Sequence, residues 1–402
     1  MLTISLGGLK RAAIIIPVAW TGAWIGYYAY TDTLRRSHIR ERNKALAKEL
    51  EQLLSEGPDY TKPATEVEKE ALKKRHALGI PADRPIPDLP IERPDFNLLY
   101  PTSEESQAGS TSREDDSGGS NVDITDKFTF TWLGQSTSYV TLDKLAILTD
   151  PALQHRTIPS ILAPERLRPP PCSLNDLKRV DVVLLICGTS HYDHLDPEAI
   201  KELGDSCEWI APVGVGAFLR QHGATRVTEL DWWQETKHML SLPNQPPKTF
   251  TITAIPNMHW SARSPLDTNA TLWSAFHVKS DSETPRSFIH LGDTGYSPTL
   301  YHAVGRVLGS IDLAAIPIGS YEPRWHMHLQ HTDPEGAVRM ALQMHVKKSI
   351  GVHWGTWLMS DEAYNKPPLD LDLARKKLDV KEEQFSVVPV GKTIVLDNSI
   401  KI

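Results

Sequence analysis

Short apolar runs, separated by polar or helix-favouring segments, fill roughly the last two-thirds of the chain. The first is FTFTWLG, beginning at Phe128, and the last is TIVL, ending at Leu396. Because these runs are short and rich in β-branched residues, they predict strands. The segments PEAIKELGD and PEGAVRMALQMH predict helices that begin at Pro197 and Pro334. Strands with interspersed helices indicate an α/β domain, with helices packed over sheets, from about residue 126 to 402.

Residues 12–30 have a different pattern, an uninterrupted apolar and aromatic run without any charge. The run is just long enough to cross a hydrocarbon core of about 30 Å as a helix. Basic residues flank it, more of them on its C-terminal side, and no acidic residue precedes Asp32. We therefore expect residues 1–34 to form a single transmembrane anchor, with the main domain in the cytosol or the mitochondrial matrix. The alternatives are a cleaved signal peptide, for which no small-x-small site follows, and a buried helix, for which a polar face is missing.

Residues 35–125 connect this segment to the predicted domain. They begin with a charged, helix-favouring stretch, RERNKALAKELEQLL, and continue into proline-rich sequence that disfavours helix and sheet interiors. Residues 102–122 are poor in aromatic and large aliphatic side chains. Such a segment cannot bury enough surface to offset the entropy lost on ordering. We expect a helical arm and a disordered linker that tether the domain to the anchor.

Composition narrows the candidate chemistry. The chain has 402 residues, a formal net charge of -7 and three cysteines. The negative charge argues against general binding to nucleic acid, which depends on Lys and Arg meeting phosphates. A sparse, odd set of cysteines without a CxxC pair indicates neither a disulfide framework nor a cysteine zinc site. The 16 histidines are more informative, and their spacing decides which of them are candidate ligands.

A dense cluster of potential ligands follows the apolar run DVVLLI. In the sequence TSHYDHLD, the residues His191, Asp193 and His194 lie within four positions of one another. Imidazole nitrogens and carboxylate oxygens are ligands that zinc accepts. The Asp-Pro-Glu sequence beginning at Asp196 supplies a helix N-cap and a proline at the first helical position. The cluster is therefore expected between a strand and a helix, which hold it rigidly.

Three further polar residues each end a predicted strand. They are His259 in AIPNMHW, Asp293 in FIHLGDTGY and His353 in GVHWGTW. Polar side chains at the tips of apolar strands are difficult to explain as core residues. Together with the first cluster they predict a metal centre; the alternative is a set of unrelated structural histidines.

The arrangement of these residues resembles a known superfamily. The spacing of the HxHxDH-type cluster, a later His, an Asp in GDT and a last His is similar to that of the metallo-β-lactamase superfamily. That resemblance implies an αββα sandwich with one or two zinc ions. The segments TWLGQST, LTDPAL, TELDWWQE, GDTGY, LAAIPIGSYEPRW, QHTDPEGAVR and IGVHWGTW further resemble the N-acylphosphatidylethanolamine-hydrolysing phospholipase D family, from about Thr129 to Leu396. The resemblance implies hydrolysis of a membrane phospholipid to an N-acylethanolamine and phosphatidic acid, and a possible homodimer.

The resemblance also implies roles for individual residues. One zinc ion would use His191, His259 and Asp293; the other would use Asp193, His194, Asp293 and His353, with Asp293 bridging the two. Water between two such ions would be acidified and would attack the phosphodiester, with Asp193 in the catalytic set.

A second polar site precedes another predicted helix. Gln330 and His331 come before an Asp-Pro-Glu sequence, and a helix N-terminus favours an anion. We expect His331 to act in catalysis by orienting the substrate phosphate, beside Gln330. The neighbouring wall is expected to be shaped by Tyr321, Glu322, Arg324 and Trp325. The alternatives are that His331 packs beside the helix cap and that Arg324 forms a structural ion pair. Trp232 and Trp233 are expected in the core, with contact to lipid as the alternative.

The chain departs from the family pattern at one position that matters for metal binding. Thr189 stands where the first histidine of HxHxDH belongs, within an ICGT segment that is longer than the family's. Gln135 also stands where many relatives have histidine. Threonine is a poor zinc ligand, so one ion would be bound less firmly. Three interpretations remain: an enzyme with one firmly bound zinc, a pseudoenzyme, or a misjudged exon boundary, which the intact motifs elsewhere favour.

Two rival functions remain besides the lipid phosphodiesterase. One is a metallo-β-lactamase-fold hydrolase of another ester or a lactone. The other is a membrane-tethered protein that binds lipid without turnover because its metal site is impaired.

Overall fold

Two seven-stranded sheets form the centre of the structure. The computed structural model describes residues 89–101, 122–157, 164–186, 192–261 and 268–396. All of them belong to one compact unit, Pro63–Ile402. In the first sheet, the strands in spatial order are β14 (Thr393–Val395), β1 (Thr129–Gly134), β2 (Thr137–Leu142), β3 (Leu145–Thr149), β4 (Val182–Leu184), β5 (Glu208–Pro212) and β6 (Val227–Leu230). In the second sheet, the order is β13 (Phe385–Ser386), β12 (Val346–Val352), β11 (Ile311–Pro317), β10 (Ser287–His290), β9 (Ala275–Ser280), β8 (Lys248–Ile255) and β7 (Glu235–Leu240).

The helices lie between strands along the chain. They are α1 (Phe96–Leu99), α2 (Pro197–Leu203), α3 (Gly216–Gln221), α4 (Pro298–Leu308), α5 (Arg324–Met327), α6 (Pro334–Gln343) and α7 (Lys366–Lys377), with short 3-10 turns at Leu174–Asp176 and Gly204–Ser206. The two helices predicted from sequence are α2 and α6, and both begin as expected. Asp196 accepts a hydrogen bond from Glu198 N at the start of α2, and Asp333 accepts one from Gly336 N at the start of α6.

The directions of the strands bring the loops that carry the predicted ligands to one edge of each sheet. Strands β3 to β6 pair in parallel, as do β10 to β12. Strand β1 reaches β3 through the antiparallel β2, and β8 reaches β10 through the antiparallel β9. Two antiparallel steps restore the original direction, so β1 runs with β3, and β8 runs with β10. The carboxyl ends of these strands therefore share an edge, as in other open sheets with ligand sites.

Alternation along the strands separates an inner face from an outer face. Val182 packs with the cluster between the sheets, whereas its neighbour Val183 packs with the cluster that contains Ile200 of α2 and Leu219 of α3. Between the sheets, the ring centroids of Phe130 and Phe288 are 6.4 Å apart. On the second sheet, α6 packs on β11 and β12, and α4 and α7 pack against α6. The predicted four-layer αββα arrangement is confirmed.

The folded unit begins before the boundary that the sequence predicted near Asp126. Leu89 lies in the cluster between the sheets, and Leu99 lies in the outer cluster of the first sheet. The backbone N–H of Glu92 also donates to the Val390 carbonyl at 2.8 Å. Residues 89–101 are therefore packed parts of the domain, although their proline content predicted a linker.

The predicted anchor at 12–30, the arm and residues 102–121 of the predicted linker lie outside the described residues. Within the part of the chain that the structure describes, no helix combines the length and the apolar character needed to cross a bilayer.

Burial predicts the effect of a matched pair of leucine substitutions. Leu313 of β11 is fully buried, whereas Leu373 of α7 is 64% exposed. We expect Leu313→Ala to lower the free energy of unfolding by about 2–5 kcal/mol, because it removes buried methyl groups and leaves a cavity. Leu373→Ala should change it by less than about 0.5 kcal/mol. Urea denaturation followed by circular dichroism measures both, and equal effects would contradict the assigned packing.

Candidate metal centre

Loops from both sheets bring the predicted ligands together. Among the described ligands, Asp193 and His194 follow β4, His259 follows β8, Asp293 follows β10, and His353 follows β12. His191 and Thr189 lie outside the described residues, so the ligand role of His191 stays a prediction.

Four of these groups form what we call the first cluster: Asp193, His194, Asp293 and His353, all buried. Asp293 Oδ2 is 2.8 Å from His194 Nε2, and Asp293 Oδ1 is 2.9 Å from His353 Nε2. Asp193 Oδ2 is 3.5 Å from each of the same two nitrogens. Two ligands of a tetrahedral zinc ion lie about 3.3 Å apart, given bonds of about 2.0 Å. The four groups are therefore spaced like the ligands of one small cation.

A second cluster shares Asp293 with the first. It consists of His259, Asp293 and His331, whose ligand atoms lie within 4.8 Å of one another. His259 Nε2 is 3.8 Å from Asp293 Oδ2. The His331 ring also approaches the first cluster: its centroid is 5.4 Å from that of His353, and 5.4 Å from that of His259 in its own cluster. Sequence reasoning placed His331 near the substrate, and the structure brings it into contact with the predicted ligands.

Hydrogen bonds orient two of the ligand histidines. His194 Nδ1–H donates to Asp150 Oδ2 at 2.7 Å, and His259 Nδ1–H donates to the Gln330 carbonyl at 3.0 Å. Each bond holds the ring by its Nδ1 and directs Nε2 toward Asp293. Such partners raise the basicity of a ligand and fix its ring. Asp150 is itself held by the Ile186 N–H, which donates to its Oδ1 at 2.8 Å.

The side chain of Gln135 contacts two residues of the first cluster, which its position in the sequence did not predict. Its Nε2 lies 2.7 Å from Asp193 Oδ2 and 2.7 Å from His353 Nε2. The residue has a positive φ of 50°, which turns the loop after β1 toward the centre. Its backbone carbonyl accepts from His353 N at 3.0 Å. The substitution of glutamine at a position where relatives have histidine was the available signal, but contact across the two sheets could not be inferred from it.

The carboxylates and the imidazoles of the first cluster stabilise each other's charged forms. Burial acts to raise the pKa of Asp293, but the neighbouring His194 and His353 outweigh it and hold that pKa well below its usual range. Burial likewise opposes ionisation of Asp193, and His194 and His353 lower the pKa of that carboxyl. Burial acts to lower the pKa of His353, but Asp293 and Asp193 raise it to about 9. The centre therefore keeps two carboxylates ionised inside the protein, a pattern typical of a cation site.

The residues predicted to line the substrate-binding wall form hydrogen bonds and ion pairs with other residues of the protein. Tyr321 is buried, and its hydroxyl donates to Asp370 Oδ2 at 2.5 Å. Arg324 Nη1 donates to the His331 carbonyl at 2.9 Å, and its Nε is 3.5 Å from Asp333 Oδ2. Arg324 thus positions the segment that contains His331, in agreement with the ion-pair alternative. A substrate role for Tyr321, Arg324 and Gln330 stays a prediction.

Exposed apolar side chains lie in the segment before His331 and at the ligand edge of the first sheet. Trp325 is 73% exposed and Leu329 is 57% exposed, and both flank the segment leading to His331. Trp232 and Trp233, which follow β6 at the ligand edge of the first sheet, are 37% and 40% exposed. The expectation that these two tryptophans lie in the core was wrong, because they occupy the turn between β6 and β7 rather than a strand.

Comparison with known proteins gives the relationship. The Beta-lactamase superfamily domain model matches residues 146–354. The N-acyl-phosphatidylethanolamine-hydrolyzing phospholipase D 1 of Caenorhabditis elegans is 36% identical over 273 residues, which are 65% of this chain and 74% of that protein. The chain belongs to the N-acylphosphatidylethanolamine-hydrolysing phospholipase D family.

Two further similarities agree with membership of this phospholipase D family. The mitochondrial N-acyl-phosphatidylethanolamine-hydrolyzing phospholipase D of Saccharomyces cerevisiae is 34% identical over 270 residues, covering 66% of this chain but 56% of the yeast protein. A possible metal-dependent hydrolase from Veillonella parvula has a TM-score of 0.52 at 17% identity, and the match covers 67% of this chain and 100% of that one. The latter similarity shows the fold.

Family and fold together make the chain a metal-dependent hydrolase, and its residues fit that assignment. The first cluster supplies two imidazoles and two carboxylates, a donor set that zinc, iron and manganese all accept.

The contact between Asp150 and His194 predicts a specific change in metal affinity. Asp150→Asn keeps the shape of the side chain but removes the negative charge beside His194 Nδ1. We expect zinc affinity at the first cluster to fall about tenfold. Competition with a chromophoric chelator measures this affinity, and Asp281→Asn on the exposed surface is the matched control. Equal affinities in the two variants would show that Asp150 does not act through His194.

Proposed function

We propose that this protein is a zinc-dependent phosphodiesterase that hydrolyses N-acylphosphatidylethanolamine to an N-acylethanolamine and phosphatidic acid. The observation that supports this proposal is the first cluster, whose four buried groups lie at strand ends and are spaced like metal ligands. The chain that carries them is 36% identical to a phospholipase D named for this reaction. The proposal extends to this chain the substrate in the name of that relative.

The chain's own residues supply several parts of the reaction. A metal ion held by the first cluster would lower the pKa of water, so that hydroxide attacks phosphorus, and would neutralise charge on the phosphoryl oxygens. Asp193 stays ionised and can accept a proton from the attacking water. Gln135 holds that carboxylate through its amide N–H at 2.7 Å. Asp150 keeps His194 in the tautomer whose Nε2 faces the reaction centre.

Exposed apolar side chains beside the centre support a lipid substrate. Tryptophan and leucine on a short helix and its following turn are suited to the interface between water and lipid. Trp325 and Leu329 lie in the segment that leads to His331. Their contact with a bilayer would therefore place lipid headgroups near the clusters. We further propose that residues 12–30 anchor the protein in that membrane, and the yeast relative suggests the mitochondrion as its location.

The proposed reaction predicts defined products. The purified protein, given N-acylphosphatidylethanolamine in mixed micelles, should release equal amounts of phosphatidic acid and N-acylethanolamine, measured by mass spectrometry. Asp293→Asn should lower the rate by at least about 100-fold, because it removes a ligand shared by both clusters. Asp281→Asn, on the exposed surface, is the control and should retain the rate.

Other results would favour a rival function. Hydrolysis of a lactone or carboxylic ester, without cleavage of the phosphodiester, would favour a different hydrolase of the same fold. Binding of the lipid without any product, unchanged by Asp293→Asn, would favour a protein that binds lipid without turnover.

The exposed helix α5 predicts a difference between vesicles and micelles. We expect the double substitution Trp325→Ala and Leu329→Ala to lower the rate on sealed vesicles about tenfold, because less apolar surface enters the bilayer. The rate on short-chain lipid in detergent should change little. Leu373→Ala, on the exposed side of α7, is the control for removing an apolar surface residue. Equal losses on vesicles and on detergent would indicate a role in the centre itself.

A further inference from the structure

We infer that His331 is a metal ligand and that, with His259 and Asp293, it forms a second metal site in this protein. The position of His331 before a helix N-terminus instead predicts that it orients the substrate phosphate. The inference rests on the proposed metal-dependent function, but it concerns which residues bind the ion rather than which bond is hydrolysed.

The geometry of the second cluster is the first argument. A nitrogen of His259, a nitrogen of His331 and an oxygen of Asp293 all lie within 4.8 Å of one another. Ligands on one zinc ion lie about 3.3 Å apart in a tetrahedral site, so small rotations of the rings would bring the three into coordination. The three residues are all buried. Three protein ligands also leave a fourth position for water or substrate, as in catalytic zinc sites.

The orientation of His259 is the second argument. Its Nδ1–H donates to the Gln330 carbonyl, so the lone pair is on Nε2, the atom 3.8 Å from Asp293 Oδ2. Gln330 directly precedes His331 in the chain. The same backbone segment therefore orients one imidazole and supplies the other, which couples the positions of the two rings.

The rigid placement of His331 is the third argument. Its N–H donates to the Met327 carbonyl at 2.8 Å, and its own carbonyl accepts from Arg324 Nη1 at 2.9 Å. The next residue, Thr332, donates from its N–H to the Thr294 carbonyl at 2.7 Å. Because Thr294 directly follows Asp293, this bond ties the two ligand-bearing loops together. A metal ligand needs such support from the residues around it.

The sequence supplies the reason for this arrangement. At the position of the first histidine of the HxHxDH motif the chain has Thr189, whose hydroxyl is a poor zinc ligand. An imidazole is thus missing from the loop after β4. His331 offers an imidazole from the other sheet, close to His259 and Asp293, the two predicted ligands of that site that the structure describes.

Cobalt substitution tests the inference directly. The full chain, stripped with a chelator and titrated with Co²⁺, should bind about two ions, and His331→Ala should bind about one. His331→Cys should again bind about two and should acquire an intense near-ultraviolet absorption band from thiolate bonding to cobalt. His326→Ala, on the exposed side of α5, is the control and should match the unaltered protein. Circular dichroism establishes that each variant is folded.

Several results would overturn the inference. The first is about two cobalt ions in His331→Ala with unchanged affinities, and the second is the absence of a thiolate band in folded His331→Cys. Binding of about one ion by the unaltered protein would also overturn it. If His331→Ala does not fold, the His331→Cys spectrum alone decides. Failure of the phosphodiesterase assay leaves these readouts intact, so the two proposals can fail separately: two ions without hydrolysis of the lipid would reject the substrate and retain the site.

Discussion

The ionised carboxylate of Asp293, buried between two groups of histidines, is the constraint on which the rest of the centre depends. A buried charge is costly unless opposite charge and hydrogen bonds surround it. Here His194 and His353 approach its two oxygens at 2.8 and 2.9 Å, and His259 approaches at 3.8 Å. Because one carboxylate belongs to both clusters, its position fixes where the two clusters lie relative to each other.

The sandwich holds this carboxylate in place through backbone contacts at the ends of its strands. Asn257 Nδ2 donates to the Asp293 carbonyl at 3.1 Å, which fixes the loop after β10. His290 Nε2–H, at the end of β10, donates to the Ser136 carbonyl at 2.8 Å and thereby joins the second sheet to the loop that contains Gln135 in the first. Burial lowers the pKa of His290 to about 3, so it is neutral and acts as a structural donor rather than a ligand. The two sheets are therefore locked together at the edge where chemistry occurs.

The fold and most of the centre could be predicted from sequence, for a definite physical reason. Apolar runs mark buried strands, and polar residues directly after them must lie at sheet edges, which was enough to identify His259, Asp293 and His353. Contacts between distant segments were less accessible. Gln135 and His353 are 218 positions apart, and no local pattern indicates that their side chains meet. The exposure of Trp232 was missed because aromatic residues next to strands are usually buried, whereas its indole N–H instead bonds the Trp273 carbonyl at the surface.

Sharing of Asp293 has a consequence for how such a protein can diverge. Ligands that belong to one cluster, such as His259 or His353, can be lost singly while the other cluster remains complete. Loss of Asp293 removes a ligand from both at once. The centre therefore tolerates substitution of a ligand that belongs to one cluster, but not substitution of Asp293. The threonine at position 189 is a change of the tolerated kind, because it affects one site only.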